Sequence, residues 1–387
     1  MSTLKVGGIR GVSASSDAIT VANDGTCTAN ITNRSNKNLI INGAYLVAQR
    51  STSSTAEGYG SVDRFRCSFS AVSENPTQSQ VDVSSGTTPY TLGFRKAFKI
   101  QNGNQTTTHG NSNIRLMYRV ESQDVANSGW NYLSSSSYVT LSFWIKASVS
   151  QNYYGFFLNE DTTQNVYPFE TGTLTANTWT KITKTIPGNS NLTFNNDTGA
   201  GLRVSVYGYL GTDLTSSSMS LNSWTTFDGS NFTPDNTSTW FTTNDATLEF
   251  TGFQLELGSV ATDFEHRSFA QELALCQRYY YVHAKGDNKV VGVSVGYQAN
   301  DIFLMIYPKV EMRAAPTFEQ ATGTNYYRLY NNGGQDSFDN WGSLWNTHER
   351  MISINANSSG GVSSNGGQPQ MIITSQSGAS LAFSAEI

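Results

Sequence analysis

The sequence predicts an all-β protein, and three observations point there. Only 14% of the 387 residues are charged, while Ser, Thr, Asn and Gln, with 34 Gly, fill the places that Lys and Glu take in helical proteins. Apolar residues recur in short alternating runs bounded by Asn, Gly, Ser and Asp. Helical spacing stands out in one stretch, residues 268–280. The chain is 37% hydrophobic and 12% aromatic, enough apolar material for real cores, and its length suits two or three domains.

Residues 1–37 carry sparse alternating apolar positions (Leu4, Val6, Ile9, Ile19, Val21, Ile31) separated by Gly, Ser, Asn and Asp. Strands this short cannot bury a core within one chain, so an intertwined β stalk or anchor is expected, with a disordered tail as the alternative. Residues 38–267 read as a large jelly-roll sandwich. Its strands are expected at 38–47, 63–70, 94–100, 114–120, 139–147, 153–158, 178–186, 202–209 and 247–257. Leu141, Phe143 and Ile145 alternate with Ser142, Trp144 and Lys146, so the two sets face opposite ways.

Residues 268–281 are a connector helix, with Ser268 as N-cap, Gln271 as its capping-box partner, and Phe269, Leu273 and Cys276 on one face. Residues 282–387 form a smaller C-terminal β-sandwich. Strands are expected there at 290–296, 302–307, 351–355, 371–374 and 381–385. Pro316 is expected to end a strand, because it lacks an N–H for the ladder.

The 24 Lys and Arg against 29 Asp and Glu leave a net charge of −5, which excludes general nucleic-acid binding. Cys27, Cys67 and Cys276 are odd in number and lack CxxC spacing, so neither a disulfide framework nor a zinc site is expected. The first residues lack the apolar run of a signal peptide and no stretch is apolar enough for a membrane span; a soluble protein assembled in a reducing cytoplasm is expected.

Catalytic motifs are sparse. There is no Gly-x-Ser-x-Gly, and His109, His266, His283 and His348 are scattered without evident partners. Glu160, Asp161, Asp213, Glu249 and Glu256 offer carboxyls of the kind glycosidases pair, but nothing in the sequence pairs them. No catalytic residue and no metal ligand is assigned. The turns at 195–199 and 235–238 offer oxygen atoms suited to Ca²⁺; their composition fits backbone turns, with a structural Ca²⁺ as the alternative.

Aromatic residues in polar, turn-rich contexts give the strongest functional lead. A sugar presents an apolar C–H face that stacks on Trp or Tyr, and its hydroxyls suit Asn, Gln, Asp and Arg. The candidate carbohydrate-binding residues are Trp130, Trp224, Trp240, Tyr326, Trp341 and Trp345. Trp144 and Trp179, inside strands, are expected to be core pegs.

Three stretches together resemble a known family. Residues 38–50 followed by Gly60-Ser-Val-Asp-Arg-Phe65 are similar to the opening of carbohydrate-binding-module-like sandwiches in phage tail fibres. Residues 253–258, 264–269 and Leu273-Ala-Leu-Cys-Gln-Arg-Tyr-Tyr280 resemble the closing strand and exit helix of that module. Met312-Arg-Ala-Ala-Pro316 and Leu381-Ala-Phe-Ser-Ala-Glu-Ile387 look like the C-terminal domain of such fibres, especially in marine tailed phages, and the opening residues look like their attachment segment. The resemblance implies a non-enzymatic, homotrimeric virion protein, assembled in the host cytoplasm. Its N-terminal segment would join other tail or capsid proteins, and its sandwiches would bind host surface polysaccharide or lipopolysaccharide, with residues 282–387 as the candidate receptor-binding tip. Two rival readings stand beside it: a virion adaptor or head decoration protein without a receptor, and a polysaccharide depolymerase.

Overall fold

The computed structural model describes residues 6–13, 17, 19–21, 27–29, 36–331, 334–363 and 366–387, and the protein is all-β. Near the N-terminus, β1 (Gly8–Ile9), β2 (Ile19–Val21) and β3 (Cys27–Ala29) form a small antiparallel sheet. Val6, Ile9, Val12 and Val21 are exposed there. Leu4 and Ile31, also read as apolar positions of this segment, lie outside the described residues.

The large unit supplies β4 (Ser53–Ser54), β5 (Arg66–Ser70), β6 (Thr77–Asp82), β7 (Lys96–Gln101), β8 (Asn113–Glu121) and β9 (Tyr138–Ala147). It continues with β10 (Asn152–Asn159), β11 (Asn165–Thr173), β12 (Thr180–Pro187), β13 (Ala200–Leu210), β14 (Thr225–Thr226) and β15 (Thr247–Leu257). They pair into two six-stranded sheets, ordered β14-β11-β10-β13-β8-β5 and β12-β9-β15-β7-β6-β4. The inward sets of both sheets, among them Leu116, Tyr118, Phe157, Val204, Phe143 and Phe250, share one apolar core.

Three expectations are corrected. Residues 38–47 form buried turns instead of a strand. Asn42 and Tyr45 adopt positive φ, and the Asn42 amide closes the bend by donating to the carbonyls of Val47 and Asp63 and accepting from the Val47 N–H. Trp144 and Trp179 are not core pegs: they lie half-buried on the outer face of the second sheet, packed toward Ala44, Phe94 and Ala97. Pro316 precedes a strand instead of ending one, since a first position needs no ladder N–H.

The connector is α1 (Phe269–Gln277), capped by Ser268 and Gln271 in a reciprocal capping box. Cys276 is buried on its inner side, while Phe269 is exposed. Beyond it, β16 (Tyr280–Lys285), β17 (Val290–Gln298), β18 (Asp301–Ile306), β19 (Thr317–Gln320) and β20 (Tyr327–Asn331) begin the second sandwich. β21 (Gly334–Phe338), β22 (Ile352–Asn357), β23 (Pro369–Thr374) and β24 (Ser380–Ser384) complete it. A three-stranded sheet, β16-β24-β19, packs against a six-stranded one, β21-β20-β23-β17-β18-β22.

Charge pairs lock the two sandwiches together. Arg64 and Glu386 meet at 2.5 Å with side-chain exposures of 1% and 6%, and Arg50 reaches the same carboxylate at 3.4 Å. The guanidinium groups of Arg64 and Arg50 lie over the rings of Tyr279 and Tyr280, at 3.4 and 3.5 Å from the centroids. Arg278 pairs with Glu121 at 2.8 Å, and Arg313 donates to the carbonyls of Thr198, Ala385 and Glu386.

Asp63 sits under this junction and gives it a pH dependence. Burial pushes its carboxyl up to about 6, although two hydrogen bonds from Gln49 favour the charged form. A folded-state value above the ordinary carboxylate range means that the folded chain takes up the proton first. This contribution therefore rises as pH falls from 7 through 6, and levels off near 4. Asp63→Asn removes the titration. The stability difference between wild type and variant, read from urea midpoints at pH 7 and pH 4.5, is expected to change by about 2 kcal/mol in that direction. Parallel pH profiles would contradict this.

Candidate functional site

Strict alternation along the strands of the first sheet builds a second face on its outer side. On β10, β11 and β13, Phe156, Leu158, Val166 and Tyr207 point outward, where they are covered by the long connection that follows β13. That connection inserts Phe232, stacked on Phe156 at 4.8 Å, and backs it with Leu214, Met219 and Phe227. Thr215 donating to Asp235 at 2.9 Å, and Asp228 accepting from the N–H groups of Ser230 and Asn231, hold its shape.

The rest of this outer face is basic. Arg115 and Arg119 alternate out of β8, and register sets Arg203 of β13 directly opposite Arg119, with Arg66 of β5 opposite Met117. Glu160 engages Arg119 at 2.6 and 3.1 Å and stands 3.6 Å from Arg203. Arg115 donates to the Tyr207 hydroxyl at 3.3 Å and has no ion pair among the described residues. Phe232 is shared: the guanidinium groups of Arg115 and Arg203 lie 5.7 and 5.9 Å from its centroid. Arg66, Arg115 and Arg119 are half-buried and open the strip to solvent, whereas Arg203 is 9% exposed. Burial lowers Arg203 to about 10; Glu160 opposes that shift, and the nearby Arg115 adds to it. It stays charged at neutral pH, so Arg115, Arg119 and Arg203 set three guanidinium groups against the single carboxylate of Glu160, while Arg66 pairs with Glu57.

The aromatic candidates scatter. Trp240 is fully buried against Gly208, where a Cβ would lie 2.5 Å from its ring, and Trp341 is buried edge-on to Tyr327 and Phe338. Trp130 is 4% exposed and donates to the Ser137 carbonyl. These three fill cores, and no sugar can stack on them where they lie. Trp224 is half-buried, its indole N–H tied to the Pro187 carbonyl at 2.7 Å. Tyr326 packs partly buried against the C-terminal core. Trp345 is 55% exposed, edge-on to Phe303. The six share no common surface.

Of the acids considered for catalysis, the neighbours Glu160 and Asp161 are occupied, and Asp213 is exposed. Both oxygens of Glu160 are held by arginines, and Asp161 accepts from Ser122, from the Asn195 side chain and from the Asn195 N–H. Among the described residues no three His, Cys, Asp or Glu side chains gather as a metal site, and no helix is long and apolar enough to cross a membrane.

A different face stands out on the C-terminal sandwich. In β17, Ser294 is buried while Val293 and Val295 are 68% and 54% exposed; in β23, Gln370 is buried while Met371 is exposed. This inverts the usual pattern. Val293 lies opposite Met371, Val295 lies opposite Phe303, and Tyr297, Met305 and Tyr307 extend the same exposed apolar sheet face.

No protein-family model matches the chain, and no curated protein matches it in sequence. Solved structures give distant likenesses. The enzymatically active domain of tailspike protein 4 from bacteriophage CBA120 aligns over 57% of this chain and 21% of its own, at 10% identity and a TM-score of 0.30. The family 11 carbohydrate-binding module from Clostridium thermocellum aligns over 55% of this chain and 96% of its own, at 11% identity and 0.24. The tandem of two family 22 modules from Paenibacillus barcinonensis Xyn10C aligns over 84% and 93%, at 9% identity and 0.23. The chain thus spans about a fifth of the tailspike fragment it matches. Scores this low assign neither family nor function.

Proposed function

We propose that this chain is a non-enzymatic virion fibre protein that binds glycans on the surface of a bacterial host and works as a homotrimer. Its N-terminal segment would join it to tail or capsid proteins, and assembly would take place in the host cytoplasm. One observation carries the binding reading: a rigid sheet presents a solvent-open strip of fixed, directional donors, Arg66, Arg115 and Arg119, beside a pinned loop. Donors held by a scaffold lose little freedom on binding hydroxyl-rich ligands.

The trimer reading rests on the inverted face of β17 and β23. Monomers rarely leave such an apolar surface in water, and copies arranged about an axis would cover it. The exposed Val6, Ile9 and Val12 of the N-terminal sheet fit the same reading. Three sites on one particle also make weak sugar contacts effective, since each later contact draws on a high local concentration. This reading moves the receptor site from the C-terminal tip to the large sandwich, and leaves Trp345 at the rim of the self-association face.

Affinity electrophoresis of the full chain through gels containing bacterial lipopolysaccharides and capsular polysaccharides tests the proposal. Retardation by at least one of them is expected. Arg115→Gln should weaken it by roughly tenfold, as loss of a charge-assisted contact does, and Trp345→Ala should leave it unchanged. Unretarded migration in every gel would overturn the binding reading, and retardation lost in Trp345→Ala alone would return the receptor site to the tip.

A further inference from the structure

Arg203 is the anomaly of the basic strip. It is 9% exposed, yet none of its guanidinium N–H groups donates a hydrogen bond to any described residue, and its buried Nε has only the Glu160 carboxylate, 3.6 Å away, beside it. The Nε of Arg115 is likewise buried without a hydrogen-bond acceptor. A guanidinium N–H removed from water without an acceptor is costly. The rings of Phe156 and Phe232, with centroids 5.5 and 5.9 Å from Arg203, hold the group by cation–π attraction but offer no acceptor for its N–H groups. The group is therefore held in place with its N–H groups left free of hydrogen bonds. Glu160 serves chiefly Arg119, at 2.6 Å against 3.6 Å for Arg203.

A planar carboxylate matches a guanidinium edge, because two parallel N–H groups meet its two oxygens at once. We infer that the strip selects acidic saccharides, with Arg115 and Arg203 gripping the carboxylate of a uronic-acid residue. This rests on the glycan-binding reading and adds its ligand class. Sugar hydroxyls would fall toward Arg119 and Arg66 along the same face, so a saccharide gains over a bare anion. The net charge of −5 does not oppose it, since the attraction is local: these three guanidinium groups face one carboxylate, whereas Arg66 is matched by Glu57 at 2.8 Å.

The test uses the full chain in two arms. In the first, thermal unfolding is followed with sodium glucuronate, sodium galacturonate, galactose and sodium sulfate, at equal ionic strength. Both uronates are expected to raise the midpoint above galactose and sulfate, and Arg115→Gln should abolish the increment. The midpoint of each variant without ligand separates any change in fold stability from the loss of the increment, and Arg203→Lys then checks the fork geometry, since Lys keeps the charge but cannot bind both oxygens. In the second arm, a retarding surface polysaccharide is carboxyl-reduced and rerun in affinity gels, where retardation should fall roughly tenfold. Equal midpoints with uronate and galactose, or retardation indifferent to carboxyl reduction, would overturn the inference while leaving glycan binding intact. A sulfate effect as large as that of the uronates would reduce the strip to an anion site and overturn it too. If no polysaccharide retards the chain, the underlying reading falls instead.

Discussion

Replacing Glu386 with Ala is expected to lower the stability of the full chain by about 3–5 kcal/mol, the largest single-site effect foreseen here. Glu386 is the shared acceptor of Arg64 and Arg50, and Arg64 is almost wholly shielded, with 1% of its side chain exposed. Truncating the carboxylate leaves that guanidinium buried with the Arg119 carbonyl, at 2.8 Å, and the rings of Tyr279 and Tyr118 for company. None of these carries a full negative charge. The double variant Arg64→Leu with Glu386→Leu should recover much of the loss, because an apolar pair of similar bulk escapes the desolvation penalty. Equilibrium denaturation in urea reads both. A loss below about 1 kcal/mol in Glu386→Ala would mean that the junction is solvated and the pair is an ordinary surface contact.

The second large effect concerns assembly. Val293→Glu combined with Met371→Glu places two carboxylates opposite each other on the exposed face of β17 and β23. In a lone chain these positions touch water, and the substitutions should cost little, within about 0.5 kcal/mol each. In a trimer they sit at the contact, and desolvating paired like charges there should dissociate it completely. Sedimentation of the variant should show single chains with an unchanged circular dichroism spectrum. Associated variant chains would place the contact elsewhere.

What the sequence disclosed follows from how local each signal is. Period-2 alternation marked most strands of the large sandwich, and Ser268 with Gln271 marked the helix, because those signals lie within a few residues. Residues 38–47 misled: their apolar content is that of a strand, but Asn42 turns the chain through contacts with Val47 and Asp63, and a reading of periodicity does not weigh them. The stretches carrying the family resemblance prove to be those of the junction, for Asp63, Arg64, Arg278, Tyr279 and Tyr280 all serve it. The tryptophans misled in another way, since Asn and Gly neighbours report a turn and not whether the indole faces in or out. Trp240 needs Gly208 to be buried, a partner distant in sequence.

The arginine strip was half legible. Arg115 and Arg119 alternate within a strand otherwise full of apolar residues, a local sign of a polar outer face that could have been read. Arg203 joins them only through the register of β13 on β8, which no sequence interval reveals. The inverted face was hidden by composition itself. In the strand expected at 290–296 the valines alternate with smaller residues, and an inward set of apolar side chains is the ordinary arrangement. Here Ser294 takes the inward place, and the valines are left for a partner to cover.

Light scattering coupled to size-exclusion chromatography of the full chain bears most directly on a multivalent particle. Threefold association predicts a mass of three times 42.2 kDa that persists on dilution to the lowest measurable concentration. A single species at 42.2 kDa, with Val293, Val295 and Met371 open to solvent, would contradict it.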